Sequence, residues 1–391
     1  MAQRYDVVIA GGGPAGSAAA WRAVQTGARV VVLDKAEFPR DKPCGDGVTP
    51  RALSYIQKMG LADEIAKFHR LNRAKIFSPS EWELSFPRRP GMPDHGHGVA
   101  RRELDTLLLK NADSAGAEVR QSAEVVGPIV DDDGRVAGVT LKGGERVLAD
   151  AVIAADGAYS PVKRGLKLDS KYNGYTAIAI RAEMSANRPD ADSLDIYLKL
   201  RYQGDQLPGY GWVFPLGGGR VNIGLGYVNS YKNWHQINST RFLGEFLATL
   251  PREWKLPPID ELQRSKALQG WRLPMGFTAW PPWRPGVLFA GDALGAARPV
   301  SGAGISKALQ SGLAAGECAV AALTNGGPDD FTNYTQIIDA TWGREYRRGR
   351  LFNKLAGIPA LTNAGLKVLD TVNHPQFRAR LLFWEGTMSG S

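Results

Sequence analysis

Three apolar runs in this 391-residue sequence end in glycine, aspartate or both. Tyr5–Ala10 runs into Gly11-Gly12-Gly13-Pro14-Ala15-Gly16, Ala151–Ala155 into Asp156-Gly157, and Gly286–Ala290 into Gly291-Asp292. Residues without a side chain beside a carboxylate suit a site that brings backbone N–H groups to a phosphate and an acceptor to a ribose. In the first stretch the spacing is G-x-G-x-x-G. Gly11 permits a tight turn, Gly13 lets a pyrophosphate approach the backbone, and Gly16 lets helix and strand pack closely. Pro14 and Ala15 open the helix whose free N–H groups face the phosphates. Asp34 stands eighteen residues past Gly16, where a carboxylate accepts hydrogen bonds from a ribose, and Lys35 is its neighbour. A fourth stretch, Pro299-Val300-Ser301-Gly302-Ala303-Gly304-Ile305, opens another Ala-rich helix and is a second anion-ready or carbonyl-ready N-terminus.

Other residue types offer chemistry with less context. Cys44 lies in the charged Pro/Gly loop Phe38–Pro50, beside the nucleotide site. Arg101 and Arg102 start a predicted helix and can reach a phosphate. Val125, in the strand-like stretch that follows, is a further candidate cofactor contact. His95 and His97 have metal-like spacing but no third ligand nearby, so no metal site is assigned.

These residues need elements to hold them. The β-branched runs Tyr5–Ala10 and Ala28–Leu33 predict buried parallel strands. Ala15–Gln25 predicts the helix between them. Helices are predicted over Arg51–Leu61, stopped by Gly60, and from Val99 to about Ser114, stopped by Gly116. Asp131–Gly134 marks a hairpin between Ala117 and Asp150, and Ala151–Ala155 reads as a separate buried strand. Rough alternation through Ala74, Ile76, Trp82, Leu84 and Phe86 predicts a strand pair between Arg73 and Arg88. From Tyr175 to Gly270 alternating aromatic runs predict an antiparallel sheet, with a helix from Ser239 to Thr249 laid on it. Aromatics there suit an apolar substrate beside a cofactor. The Ala-rich helix after Ile305 is expected to reach about Leu323. From Asp329 the chain reads as helical, broken at Pro359, with Arg344, Arg347, Arg348, Arg350 and Lys354 beside Leu351, Phe352 and Leu355. That pattern suits a solvated helix face or an anionic membrane surface.

The fold class expected is α/β: a Rossmann-like dinucleotide-binding domain formed by residues 1–72, 98–165 and 280–328, an inserted antiparallel β-sheet substrate domain (73–97 and 166–279), and a C-terminal helical region (329–391). Composition agrees, with 43% hydrophobic and 22% charged residues, and two cysteines exclude a disulfide framework. The sequence opens almost directly on a strand, without a secretory leader, and no run reaches the ~18 apolar residues of a spanning helix. The expected location is cytoplasmic or peripheral on a membrane. A net charge of +9 permits anionic partners, but no nucleic-acid-binding signature accompanies it.

The four glycine motifs, with Arg101-x-x-Leu104-Asp105, resemble the FAD-dependent oxidoreductases of the para-hydroxybenzoate hydroxylase-like fold over roughly residues 5–325. The resemblance implies bound FAD, with Gly291-Asp292 on the ribityl chain and pyrophosphate, Pro299–Ile305 along the isoalloxazine, and Arg101 approaching the ribityl and phosphate region. Within that fold, Lys42-Pro43-Cys44-Gly45-Asp46-Gly47 and Tyr210-Gly211-Trp212-Val213-Phe214-Pro215 resemble the geranylgeranyl reductase family. They match its Cys-Gly loop beside the flavin and its Tyr-x-Trp-x-Phe-Pro pocket signature. Two details depart from it: Leu207 stands where that family has a proline, and Gly302-Ala303-Gly304 replaces Gly-Glu-Gly. The resemblance implies reduction of C=C bonds in a prenyl chain, with Tyr210, Trp212, Phe214 and Pro215 forming the apolar pocket. Cys44 beside the flavin, with Tyr210 and Trp212, is then the catalytic set. The reductant is NADPH, ferredoxin or a quinol, so an electron-donor protein is among the possible partners. The alternative is a flavin-dependent monooxygenase or halogenase acting on a small aromatic, since halogenases carry Trp-x-Trp-x-Ile-Pro at the same place. An electron-transfer flavoprotein with an iron–sulfur cluster needs more cysteines than Cys44 and Cys318.

Overall fold

The computed structural model describes residues 3–371 except 79–80, 87–89, 169–175, 325–326 and 328–329. The side chains of Trp82 and Leu84, and the expected helical region beyond residue 371, lie outside the described residues.

The β-branched runs form the centre of an eight-stranded sheet. Its strands Val287–Phe289, Arg146–Ala154, Arg4–Ala10, Val30–Leu33 and Glu118–Arg120 lie side by side and parallel. Val7 to Ala10, Val31 to Leu33 and Val152 to Ala154 are essentially inaccessible to water, as expected of strands covered on both faces. The run expected as a separate strand at Ala151–Ala155 is the second half of Arg146–Ala154. Its first half pairs antiparallel with Val136–Leu141, which in turn pairs with Val125–Val130.

Register explains how distant motifs meet. Ala10 is opposite both Ala154 and Leu33, and Ala154 is opposite Phe289. Three parallel strands therefore end level, and the glycines and carboxylates that follow each of them emerge along one edge, where open α/β sheets bind ligands. Helix Pro14–Val24 lies on this sheet against helix Ile305–Thr324. A Cβ at Gly312 or Gly316 would collide with the carbonyls of Ala15 and Ala19, so these two glycines set the spacing of the helix pair.

The aromatic region forms a second sheet of seven strands, ordered Gln269–Pro274, Thr176–Ser185, Arg220–Val228, Gly209–Gly217, Ser193–Tyr197, Arg73–Phe77 and Glu81–Ser85. Helix Ser239–Leu247 covers one face through Phe242, Leu243 and Phe246, which are buried with Val213, Ile223 and Leu225. A three-stranded sheet (Gly47–Val48, Gly96–Gly98 and His69–Leu71) sits beside the Cys44 loop. Between Thr332 and Thr371 the chain is mostly helical: Thr332–Ile338, a π-helical turn Asp339–Gly343, Arg344–Ala356 and Pro359–Thr371. Tyr346 stacks on Phe277 with ring centroids 4.4 Å apart, and Asn353 donates to the Pro299 carbonyl at 2.7 Å. The inner face of helix Arg344–Ala356 is thereby fixed to the Pro299–Ile305 loop.

Candidate active site

Backbone geometry at the first glycine turn matches what a pyrophosphate requires. Gly11 has φ +96°, and a Cβ there would strike the Ala155 carbonyl. A Cβ at Gly16 would collide with the Gly11 carbonyl oxygen. Gly13 is different, because its missing Cβ would meet only Arg40 Nη2, at 3.6 Å. The space above Gly13 is thus open, at the N-terminus of an eleven-residue helix, with a guanidinium beside it. Asp34 Oδ2 accepts from the Gly12 N–H at 2.7 Å and Oδ1 from the Ala36 N–H at 2.9 Å, which clamps the turn.

The Phe38–Pro50 loop is held by a different element at nearly every charged residue. Arg40 pairs with Asp105, which Arg101 also holds at 2.7 Å. Asp41 accepts from Arg181 at 2.8 Å and from Gln269 at 2.9 Å. Lys42 meets Asp292 at 2.8 Å. Burial alone would raise the Asp105 and Asp292 carboxyls, but Arg101 and Lys42 respectively reverse this and hold both below the usual carboxylate range. Asp156, whose Oδ1 is buried without a hydrogen-bond partner, is pushed up to about 6 by burial. These residues fit FAD. An open helix N-terminus with Arg40, Lys42 and Arg101 nearby complements a diphosphate, and Asp292 supplies an acceptor for a hydroxyl.

A single cavity of about 1220 Å³ extends from Gly13, Pro14 and Ala15 past Gly157, Gly291, Asp292 and Arg101 to the Cys44 loop and the face of the seven-stranded sheet. Pro299, Gly302, Gly304 and Ile305 line it as well. Strand Gly209–Gly217 turns Tyr210, Trp212 and Phe214 into it, because residues two apart share a face. Tyr210 donates to the Ser301 carbonyl at 2.7 Å, which ties this wall to the Pro299–Ile305 loop. Burial pushes the Tyr210 hydroxyl up to about 12. Trp212 and Phe214 close over Gly45, where a Cβ would stand 3.1 Å from the Phe214 ring. The Cys44 thiol lies between the Arg101 guanidinium and the Asp46 backbone N–H. Burial raises it more than Arg101 lowers it, so it stays a neutral thiol at pH 7.

Several expected contacts are not on this cavity. Pro215 is the clearest correction: it shares the strand's other face, and its carbonyl backs onto Gly98. Gly11 and Gly16 shape the turn from beneath. Asp34, Lys35 and Val125 lie away from the cavity, where Asp34 hydrogen-bonds through its carbonyl to the Ala123 N–H at 2.8 Å. Asp156 sits behind Gly157 and accepts from the Val162 N–H. Other residues were missed: Arg40, Lys42 and Asp46 in the loop, and Arg181 and Asn222 in buried strands. For Arg181 and Asn222 the available signal was a charged or amide side chain inside an otherwise apolar run. Among the described residues no three His, Cys, Asp or Glu side chains are placed to hold a metal.

A parallel sheet with a phosphate-ready glycine turn, joined through one cavity to an aromatic antiparallel sheet, defines a flavin-dependent oxidoreductase. Residues 4–339 match the family model described as FAD binding domain. Over 317 residues the chain is 37% identical to a menaquinone reductase of Mycobacterium tuberculosis, covering 80% of this chain and 76% of that protein. It is 30% identical to digeranylgeranylglycerophospholipid reductase 1 of Methanopyrus kandleri, covering 88% and 87%. A solved geranylgeranyl bacteriochlorophyll reductase-like protein of Thermoplasma acidophilum superposes with a TM-score of 0.81 at 24% identity, covering 98% of each chain. The chain belongs to the FAD binding domain family and, within it, to the geranylgeranyl reductase group of FAD-dependent oxidoreductases.

Proposed function

We propose that the protein saturates C=C bonds in a prenyl chain carried by a lipid or quinone. One observation carries the reading: the glycine turn and the aromatic wall belong to one cavity, which is also lined by Phe352, Ala356, Thr362 and Leu366 on the C-terminal helices. A small aromatic needs no such length, whereas a prenyl chain does. Each buried CH₂ contributes ~0.8 kcal/mol, so a twenty-carbon chain binds without polar contacts. The named activities of the relatives support the same substrate class.

FAD held there would, in its reduced form, supply the hydride for one alkene carbon. The residues of the chain do the rest. Arg40, Lys42 and the Gly13 turn would hold the diphosphate, and Asp292 and Gly157, which line the same cavity, would hold the adjoining part of the cofactor. Tyr210, Trp212 and Phe214 hold the chain flat and exclude water, which an unactivated alkene requires because it has no carbonyl to polarise. Cys44 holds a proton at Sγ for the second carbon. Reduced protein kept without oxygen should convert prenyl double bonds to single bonds, and unchanged chains would contradict the reading.

We place the substrate's route at a membrane surface. No helix among the described residues is long and apolar enough to cross one. Leu351, Phe352, Leu355, Leu361 and Val368 on the two C-terminal helices, and Ile358 between them, are nonetheless exposed, and Phe352 also lines the cavity. Arg344, Arg347, Arg348 and Lys354 are exposed among them. Each cation near an anionic leaflet contributes ~1 kcal/mol. The protein should float with anionic vesicles and leave them as salt rises, because added ions shorten the reach of these charges. Equal flotation with neutral vesicles would remove the charges from the account, and no flotation with either would remove the membrane.

A further inference from the structure

Strand Arg220–Val228 buries one amide among apolar and glycine residues. Asn222, between Val221 and Ile223, is inaccessible to water. Asparagine is depleted in strands, and a buried amide is costly unless its donors and acceptor are matched. Here they are matched. Oδ1 accepts from Trp212 Nε1 at 2.8 Å, and Nδ2 donates to the Cys44 carbonyl at 2.7 Å and to Asp46 Oδ2 at 2.7 Å. The partners also fix the orientation of the amide. An indole N–H only donates and a carbonyl only accepts, so a flipped amide would lose both bonds. Asn222 itself does not line the cavity, whereas Trp212, Cys44 and Asp46 all do.

The surroundings leave these groups little freedom. Trp212 is opposite Gly224, and a Cβ at Gly224 would collide with the indole. The ring therefore lies across strand Arg220–Val228, which brings Nε1 to the Asn222 amide. On the loop side, a Cβ at Gly45 would stand 3.4 Å from Nε1. Asp46, next in sequence, has a left-handed φ of +61°, which aspartate tolerates better than most residues, and its carbonyl accepts from the Val99 N–H at 2.9 Å. The Cys44 turn and the aromatic wall come from distant parts of the chain, Cys44 and Asn222 being 178 positions apart. One amide joins them.

We propose that Asn222 is a positioning residue of the reduction: its amide sets the Trp212 indole against the Cys44 turn, so that a prenyl chain lying on the indole presents its alkene to the Cys44 side of the site in one pose. This rests on the prenyl-reductase reading. The wall that holds the chain flat and the turn that carries the thiol must serve the same bound pose, and a displacement of about 1 Å between them costs ~10²-fold in rate. None of the hydrogen bonds of Asn222 goes to the Gly13 turn, Lys42 or Asp292, so its loss should not release FAD.

The test is anaerobic single-turnover reoxidation of the dithionite-reduced FAD-loaded protein by a geranylgeranyl phospholipid or a menaquinone, whichever the wild type reduces, with rates taken per bound flavin. Asn222→Leu removes every bond of the amide and should lower the saturated rate ~10²-fold while flavin is retained. Asn222→Asp keeps the shape and the acceptor for Trp212 but sets an acceptor against the Cys44 carbonyl and Asp46. It should lower the saturated rate and leave the half-saturating concentration near that of the wild type. Trp212→Phe removes the indole N–H, and its effect should be smaller in the Asn222→Leu background than in the wild type, because the two groups act as a unit. A residue that only supports the fold would lower the melting temperature and leave the rate per flavin unchanged. That result in both Asn222 variants, or effects of Asn222→Leu and Trp212→Phe that simply multiply, overturns the proposal and leaves the prenyl reading standing. Where neither Asn222 variant folds, the wild type decides. Its Trp212 indole proton, assigned by NMR from its loss in Trp212→Phe, should exchange slowly with deuterium in the holoprotein, and rapid exchange overturns the proposal. Failure of the wild type to reduce either probe removes both.

Discussion

Gly13→Val should give a folded protein that retains no FAD, while Gly16→Ala should destabilise the fold itself. The two glycines belong to one motif but meet different surroundings. A Cβ at Gly13 meets only the far end of the Arg40 side chain, so the apoprotein accommodates it. Valine then occupies the space through which a pyrophosphate reaches the backbone. A Cβ at Gly16 collides with the Gly11 carbonyl, in a turn whose own glycine is pinned against Ala155. Nothing flexible is there to yield, and overpacking of this kind costs about 1–3 kcal/mol, occasionally more. Flavin absorbance and circular dichroism of the two purified variants separate the effects. A Gly13→Val protein that keeps its flavin would contradict the placement of the diphosphate.

Cys44→Ser should keep FAD bound and slow reoxidation of the reduced flavin by the alkene ~10²–10⁴-fold, the usual contribution of a positioned acid. Burial raises the thiol, but a thiol is a far stronger acid than an aliphatic hydroxyl in the same surroundings, so serine preserves the loop and loses the accessible proton. Stopped-flow measurement of one turnover isolates this step from reductant supply. An unchanged rate would return Cys44 to a small residue that lets Trp212 and Phe214 close over Gly45.

The parallel core was legible because its strands are unbroken β-branched runs, and their shared register follows once each run is known to end in glycine or aspartate. Helix limits came within a few residues for the same local reasons: Pro14 and Pro50 start helices, and Gly60 and Gly116 follow their ends. What local patterns do not carry is pairing at long range. Lys42 and Asp292 are separated by 250 residues and Asn222 and Asp46 by 176. Neither pair has a periodicity that announces its partner. Pro215 shows the opposite error. It was placed in the pocket as part of a six-residue signature, yet the two-residue period that turns Tyr210, Trp212 and Phe214 inward turns Pro215 away. The fusion of Ala151–Ala155 with the preceding strand is similar, since one chain segment pairs antiparallel and then parallel along its length.

The central claim is chemical, and mass spectrometry tests it most directly. Purified protein, reduced with dithionite under strict anaerobiosis, is mixed with an unsaturated prenyl lipid, and the extracted lipid is weighed. The account predicts a mass gain of two hydrogens per turnover, matched one to one by the flavin reoxidised, with no requirement for oxygen. A prenyl chain left unsaturated, alongside oxygen-dependent hydroxylation or halogenation of a small aromatic, would contradict it.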